Sequence, residues 1–578
     1  MVRDIGLLPA AASLLAARGL TDPGDARRFL SPSLADLHSP YSMLGLQPAV
    51  ERIEAAIERG EPILIYGDYD VDGTVAVVIL KTAIEICGGR TEFHVPHRIR
   101  EGYGMRDEVI ERAAADGVRL IISVDTGIRA FEAAETCSRL GLDLVVTDHH
   151  LPQADGVPRA LAVLNPNQSG CEYPCKALCG AGVAFKLAQA LLEKTGRARI
   201  VPSFLKMVAI ATIADAVPLT GENRVFAKLG LDGLRVPVNA GLKALFEVAD
   251  LDGRVRRLTA TDVAFRLAPR LNAAGRMDVA KDVVDLFTMR DEASVRELAL
   301  RLNQLNAERQ QEEQRIMAEI QSRIDADPEL REAWCIVADG DGWHKGVIGI
   351  AASRVVDRYH RPALVISRDG DSAHGSGRSI EAFHLLEALE SCAHLFTRFG
   401  GHAHAAGFAL PAAHVSELRS ALDSWARMKL TPEDLQPVLR FDAALDLNEI
   451  TPKFYEQLLA LEPFGMGNPE PVFVSSRTIL MQPPRVVKER HLKFSLSAAE
   501  PATNGNGFSY RRSYEAMGWR MADCDAAKNA EPLQRGDRLD IAFTLTENTH
   551  PDFGGIELCL CDFRKSAATS ASAAGSSS

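Results

Sequence analysis

The sequence predicts a two-lobed α/β core, a parallel sheet with flanking helices joined by one long helix to a second α/β unit, followed by a small β-barrel. Three observations predict it. From Pro62 onward short β-rich runs alternate with helical stretches; residues 291–324 contain neither Gly nor Pro and are rich in strong helix formers; and residues 472–564 alternate apolar and polar in the manner of strands.

Taken in order, the opening MVRDIGLLPAAASLLAARGL has an apolar run after Arg3, as a leader would, but Asp4 cancels the early charge and Pro9 interrupts the run. It reads as a short helix ending near Gly19, within a helical extension over 1–45. Residues 46–290 hold the first α/β unit: ILIYGD then VAVVILKTAIEI, RLIISVD then IRAFEAAETCSRL, and LDLVVTD, with a mostly helical stretch after about 181. In a parallel sheet of this kind ligands gather at the carboxyl ends of the strands. The long helix occupies 291–325. The second α/β unit, with strands at CIVAD and ALVIS, spans 326–430. After a Pro-containing connector, residues 455–565 carry VFVSS, TILMQ, LKFSLS, RLDIAFTL and IELCLCDF, which fit a barrel such as the OB-fold, an architecture that binds single strands. The low-complexity tail 566–578 is expected to be disordered.

Composition excludes several classes. The 578 residues are 46% hydrophobic and 25% charged, an ordinary globular balance, and no apolar run approaches the ~20 residues that span a bilayer. Ten scattered cysteines point to reduced thiols in a cytoplasm, and the spacing of Cys171, Cys175 and Cys179 matches no common zinc or iron–sulfur pattern. A net charge of −12 opposes indiscriminate binding of nucleic acid, so any polyanion must meet a local basic surface. The surplus carboxylates are what a hard-cation site draws on.

Four acidic motifs carry the chemistry. In YGDYDVDGT, Asp68, Asp70 and Asp72 alternate at a strand end, which crowds three carboxylates on one side. Taken alone, that fits an acidic turn or an isolated Ca²⁺ loop as well as a nuclease metal site. Asp125 in ISVDTG follows a second apolar strand; Asp148, His149 and His150 in VVTDHHLP follow a third; Asp215 emerges from the apolar run AIATIADAVPL. Each has a bland reading, as a cap or a turn. Together they form a carboxylate set with imidazole, suited to Mn²⁺ or Mg²⁺, and two such ions ~4 Å apart serve hydrolysis of a phosphate ester or anhydride.

DYDVDG, SVDTG, VTDHH and IADAVPL resemble the successive motifs of the DHH phosphoesterase superfamily, and RLNAAGRM, WHKGVIGIAASR, GSGRSI, FGGHAHAAG and LEPFGMGNPEP are similar to those of RecJ nucleases. The resemblance covers nearly the whole chain. It implies a single-stranded-DNA-specific 5′–3′ exonuclease that releases 5′-mononucleotides in repair and recombination. It implies that Asp70 and Asp125 hold one ion and that Asp72, Asp125, His149 and Asp215 hold the other, with Asp68 and Asp148 in support and His150 on the scissile phosphate. Arg270, Asn272 and Arg276 would engage DNA near the ions; Ser376, Arg378, Gly400, Gly401 and His402 would hold it from the opposite lobe. A monomer working with a single-strand-binding protein and a helicase is the partner set the resemblance implies.

The chain departs from the family pattern in places. The connection containing PATNGNG and GFSYRRSYEAMGWR is long, His404 stands where a less polar residue is common, and Thr126 follows Asp125 where Cys or Asn is frequent. That connection carries Phe508, Tyr510, Arg511, Arg512 and Trp519, which offer charge and stacking surfaces. Superfamily enzymes for oligoribonucleotides or cyclic dinucleotides usually lack a terminal barrel, and scaffold relatives have decayed acidic sets; the barrel and the full set here oppose both readings.

Overall fold

The structure is a computed structural model that describes residues 2–98, 100–251, 257–277, 279–503, 509–523, 532–548 and 554–566. Phe508 and the tail from 567 onward lie outside them. The chain forms two compact units, one of Leu37–Val217 with Val225–Val438, the other of Met1–Asp36, Pro218–Arg224 and Leu439–Ser578.

The larger unit begins with a parallel sheet of β1 (Pro62–Tyr66), β2 (Arg90–His94), β3 (Leu120–Val124), β4 (Asp143–Thr147) and β5 (Ala162–Leu164), in the order β2-β1-β3-β4-β5. The order reverses at β1, so a crevice opens at the carboxyl ends of β1 and β3, where open α/β sheets bind ligands. The helix Val71–Ile86 explains the lack of polar periodicity in VAVVIL: it is buried on most sides and packs against helices Gly180–Lys194 and Leu205–Ala214. Buried on both faces, β3 and β4 read as continuous apolar runs for the same reason.

One helix of 35 residues, Glu292–Ala326, starts where the Asp291 side chain accepts from Ser294 N. It reaches the second lobe through the buried Trp343, whose indole N–H donates to Glu319 at 2.8 Å. That lobe has a mixed sheet of β6 (Ile336–Asp341), β7 (Ala363–Asp369), β8 (Ser372–Arg378), β9 (Arg398–Gly401) and β10 (Ala405–Pro411), in the order β6-β7-β8-β10-β9. Among the described residues no helix is long and apolar enough to cross a membrane.

The other unit contains β11 (Ala443–Ala444), β12 (Phe473–Val487), β13 (His491–Ser497), β14 (Ala502–Thr503), β15 (Ser509–Tyr510), β16 (Ser513–Gly518), β17 (Arg538–Asn548) and β18 (Gly555–Lys565). The order β12-β13-β16-β18-β17, closed by β12–β17 pairing and with β16 and β18 parallel, is a five-stranded barrel, and β11 extends it at β12. The N-terminal helices Pro9–Ala17 and Pro23–Leu30 share the barrel unit's core: Leu14, Leu15 and Phe29 are buried in one cluster with Phe454, Phe473 and Phe543. Sequence patterning does not disclose that union, because it joins segments more than four hundred residues apart.

Arg224 ties the pieces of this unit together. Its guanidinium stacks 3.5 Å over the Phe29 ring and donates to the Phe29 carbonyl at 2.5 Å and to those of Leu461 and Glu462 at 3.0 Å. Burial, then the nearby charge of Arg18, brings its pKa down to about 9. Arg224→Ala leaves the carbonyls of Phe29, Ala460, Leu461 and Glu462 without this donor and is expected to destabilise the protein by about 3 kcal/mol. Urea denaturation followed by circular dichroism measures it, and an unchanged midpoint would contradict the role.

Candidate active site

The acids arrive at the site through main-chain pairing that extends the parallel sheet. Gly67 N donates to His94 O, Asp125 N to Thr147 O and Asp148 N to Leu164 O, so the residues just past β1, β3 and β4 stay in register. Three sets of ligand atoms result, each within 4.8 Å of one another: Asp68, Asp70 and Asp125; Asp72, His149 and Asp215; Asp125, His149 and His150. His149 Nε2 lies 3.2 Å from Asp125, 3.8 Å from Asp72 and 3.9 Å from Asp215.

Local backbone features hold this geometry. Asp125 adopts a left-handed φ of 59°, a strained conformation for a non-glycine residue that the surrounding pairing maintains. The helix Gly180–Lys194 aims its N-terminus at Asp72, with Gly180 N donating at 2.5 Å and Ala181 N at 2.8 Å, where the helix dipole favours a carboxylate. A Cβ on Gly180 would lie 2.5 Å from Asp125 Oδ1 and one on Gly73 would lie 2.7 Å from Asp68, so glycine is required at both. Asp148 is fully buried and accepts from Ile128 N, His149 N, His150 N and His150 Nδ1, at 2.9, 2.7, 3.1 and 2.7 Å. It orients the two histidines and leaves His150 Nε2 as the ring nitrogen open to a ligand. Asn165 and Asn167 brace the same loop through the carbonyls of His150 and His149, both at 2.9 Å.

Crowding of like charge dominates the electrostatics. Burial, then Asp70, pushes the Asp68 carboxyl up to about 8; burial, then Asp72 and Asp70, pushes Asp215 up to about 9. Asp125 is raised well above its ordinary value by burial and four neighbouring acids, and Asp70 is raised by burial and Asp72. His150 moves the other way in charge: although burial opposes it, the Asp148 contact holds its imidazole above the ordinary value. Asp68 Oδ1 and Asp125 Oδ1 are buried without any hydrogen-bond partner. Carboxylate oxygens so placed, beside an imidazole, fit a pair of hard divalent cations.

A cavity of about 810 Å³ faces these acids. Arg98, Arg276, Lys345, His374, Arg378 and Arg398 line it, with Tyr69, Tyr103, Ser376 and Gly400, and among the described residues no Asp or Glu does. Burial, then Arg98, brings Arg276 down to about 10, and the same causes lower Arg378. This is the local basic surface that a chain of net charge −12 requires. A second cavity of about 830 Å³ is bounded by Tyr103, Thr126, His149, His150 and His402. Tyr103 borders both cavities, and Tyr66 holds its turn: the phenol donates to Gly104 O and accepts from Arg106 N, both at 3.2 Å.

The expected site residues thus separate into groups. Asp68, Asp70, Asp72, Asp125, His149, His150 and Asp215 converge, and Asp148 lies beneath them. Arg276, Ser376, Arg378 and Gly400 meet in the basic cavity and His402 in its neighbour. Gly401, at φ 154°, forms the tight pairing of β9 with β10, where a Cβ would lie 2.3 Å from Ala405 O. Arg270 is not brought to either cavity: it spends its donors on Asn303 and on the carbonyls of Arg266 and Val248, bracing helices. Asn272 accepts from Val71 N at 3.2 Å and so holds the acidic loop. Sequence reasoning missed Arg98, Tyr103 and Gly180. The density of charge and glycine in PHRIREGYGM was the available signal for the first two.

Three family descriptions match the chain in succession: the DHH family, N-terminal domain over residues 62–212, the DHHA1 domain over 333–428 and the RecJ OB domain over 441–562. The single-stranded-DNA-specific exonuclease RecJ of Dickeya dadantii is 37% identical over 83% of this chain and 85% of its own length. The chain belongs to the RecJ family. The Bacillus subtilis RecJ is 38% identical over 88% of this chain, which spans 64% of that longer protein. The crystal structure of Thermus thermophilus RecJ in complex with Mn²⁺ superposes with a TM-score of 0.80 at 30% identity, covering 98% of this chain and 77% of the other.

Two outcomes follow from the crowded carboxylates. Asp68 and Asp215 titrate near 8 and 9 when folded and near 3.8 when unfolded, so between those values the folded state holds protons that the unfolded chain releases. Their contribution is therefore present below 3.8 and lost as pH rises. In chelator, the melting temperature is expected to be lower at about pH 8 than at about pH 5 relative to Mn²⁺-loaded protein, so that the stabilisation by Mn²⁺ grows with pH; a gap that shrinks would contradict the electrostatics. Gly180→Ala should displace Asp125 and weaken Mn²⁺ binding by about 10–100-fold in calorimetry, and wild-type affinity would show that the close approach is unimportant.

Proposed function

We propose that this chain is a single-stranded-DNA-specific exonuclease that hydrolyses phosphodiester bonds from the 5′ end with two divalent cations, Mn²⁺ or Mg²⁺, releasing 5′-mononucleotides in DNA repair and recombination. The observation that carries it is the pairing of two opposite charge clusters: Asp68 Oδ1 and Asp125 Oδ1, buried without hydrogen-bond partners, and a facing cavity lined by six basic side chains and, among the described residues, no acid.

Asp70 and Asp125 would hold one ion, and Asp72, Asp125, His149 and Asp215 would hold the other. Membership of Asp125 in two of the three ligand sets supports that assignment. Bound there, the ions supply an activated water and neutralise the charge of the reacting phosphate. Asp68 adds negative charge beside Asp70, Asp148 fixes the DHH loop, and His150, whose proton affinity the Asp148 contact raises, contacts the scissile phosphate. Arg276 and Arg378 grip phosphates through paired donors, with Ser376, Gly400 and His402 completing the wall. Arg270 and Asn272 act at one remove, by holding the helix and loop that carry their neighbours.

A cleft between the sheet and the opposite lobe that admits only a threaded single strand belongs to the same reading. The family's polarity supports the 5′ start. Action as a monomer in the cytoplasm, beside a single-strand-binding protein and a helicase, belongs to the same reading.

Incubation with 5′-labelled single-stranded and duplex DNA, in Mn²⁺ or in chelator, tests the function. Mononucleotides should appear only from the single strand and only with metal, and cleavage that survives chelation would end the proposal. Asp125→Asn should cost more than about 100-fold in turnover, beyond the loss typical of a ligand's supporting partner, with a normal circular dichroism spectrum.

A further inference from the structure

We propose that the loop Gly465–Asn468 of the motif LEPFGMGNPEP positions the metal ligand Asp215, acting through the chain segment Ala216–Leu219, and so sets the affinity of one of the two ions. The inference rests on the two-ion reading above and gives a role to a motif which that reading leaves unused.

The Asp215 carboxylate lacks support of its own. Asp72 is held by Gly180 N and Ala181 N, and Asp70 by Gly73 N. Among the described residues the Asp215 carboxylate accepts no hydrogen bond, and it comes no closer to His149 Nε2 than 3.9 Å. Its place is therefore set by its backbone. Asp215 ends the helix Leu205–Ala214, its N–H donating to Ala211 O at 2.8 Å, and Ala216 follows at a left-handed φ of 55°. Helices commonly end with a glycine in that conformation; an alanine there is strained and persists only where its surroundings impose it.

The segment that follows imposes it. Pro218 restricts Val217 to extended conformations. Leu219 is buried, and its N–H donates to Met466 O at 2.7 Å. Two glycines let the loop come this close: a Cβ on Gly465 would lie 2.8 Å from Leu219 Cδ1, and one on Gly467, itself at φ 71°, would lie 3.0 Å from Pro218 Cβ. Asn223 Nδ2 fixes the same segment by donating to Pro218 O at 3.1 Å.

The loop takes its shape without help from the acids. Gly465 N donates to Asn468 O at 2.9 Å and Asn468 N to Gly465 O at 3.1 Å. The fully buried Asn468 side chain donates to Leu461 O at 2.9 Å and Pro463 O at 2.8 Å, and accepts from Arg18 Nε at 2.9 Å. Pro218–Arg224 belongs with this loop to the barrel unit, whereas Asp215 belongs to the other unit. Only Ala216 and Val217 separate Asp215 from Pro218, and both are conformationally restricted, so a shift of the clasped segment passes along the chain to the ligand.

The test inserts Gly-Gly between Val217 and Pro218 in the full chain, which keeps every ligand and every residue of the clasp but breaks the connection between them. Mn²⁺ binding is followed by calorimetry and by the electron paramagnetic resonance of free Mn²⁺. The insertion should leave one ion bound with wild-type affinity and weaken the other by about 10–100-fold, the loss typical of a ligand's supporting partner. Gly467→Ala should weaken the same ion, and in both variants turnover on 5′-labelled single strand should recover as Mn²⁺ is raised, with KM for DNA unchanged. A loop that only packs the barrel would lower the melting temperature and leave both ions bound normally. Two ions held by the insertion variant at wild-type affinity would overturn the proposal, as would equal weakening of both. Uptake of a single ion by the wild-type protein would instead remove the two-ion reading, and it is recognised before any variant is made.

Discussion

Repulsion among carboxylates is the constraint on which the site depends. Five aspartates that would separate in solution are held together because the segments bearing them are fixed by apolar packing: β1, β3 and β4 are buried on both faces, and the helix after β1 is buried on most of its circumference. The hydrophobic core stabilises the fold enough to tolerate an electrostatic cost that is relieved when cations arrive. Asp125 shows the cost twice, once in its raised proton affinity and again in its left-handed backbone. Strain at a residue that belongs to two ligand sets is consistent with the backbone being bent to serve the side chain.

The opposite cluster obeys the same logic with the sign reversed. Burial, then the charge of Arg98, lowers the proton affinity of Arg276 and Arg378 inside a cavity whose described lining holds no carboxylate. An anion with several charges relieves them all at once. A phosphodiester strand is such an anion, and the two clusters together divide its recognition: cations of the protein for the phosphates that are held, carboxylates and metal for the phosphate that reacts.

Much of this was legible in the sequence where periodicity carries meaning. Asp125, Asp148 and His149 stand out because they follow apolar strand runs, whereas the alternation of Asp68, Asp70 and Asp72 misleads in its reason: no extended segment carries it, since β1 ends at Tyr66, Asp70 caps the helix Val71–Ile86 and Asp72 lies in its first turn, in a different ligand set from Asp68 and Asp70. Loops have no such period, so Arg98 and Tyr103, which line the cavities, gave only a local density of charge and glycine. Arg270 illustrates a different limit. Its motif does run beside the acidic loop, since Asn272 touches Val71 and Arg276 enters the cavity, but one turn away on the same helix the side chain faces the long helix. Motif membership fixes the segment's place; helical geometry fixes which side chain reaches the substrate.

Long-range union is the remaining gap, and it has a physical source. The N-terminal helices bury Leu14, Leu15 and Phe29 with the barrel's Phe454, Phe473 and Phe543, and Arg224 reaches the carbonyls of Leu461 and Glu462 from a segment far earlier in the chain. Hydrophobic burial is non-directional and carries no address, so an amphipathic helix states that it needs a partner without naming one. A small barrel has limited surface to bury and gains from such partners. The consequence is one of stability: with Leu14, Leu15 and Phe29 in its core, the barrel buries apolar surface beyond what its own strands supply.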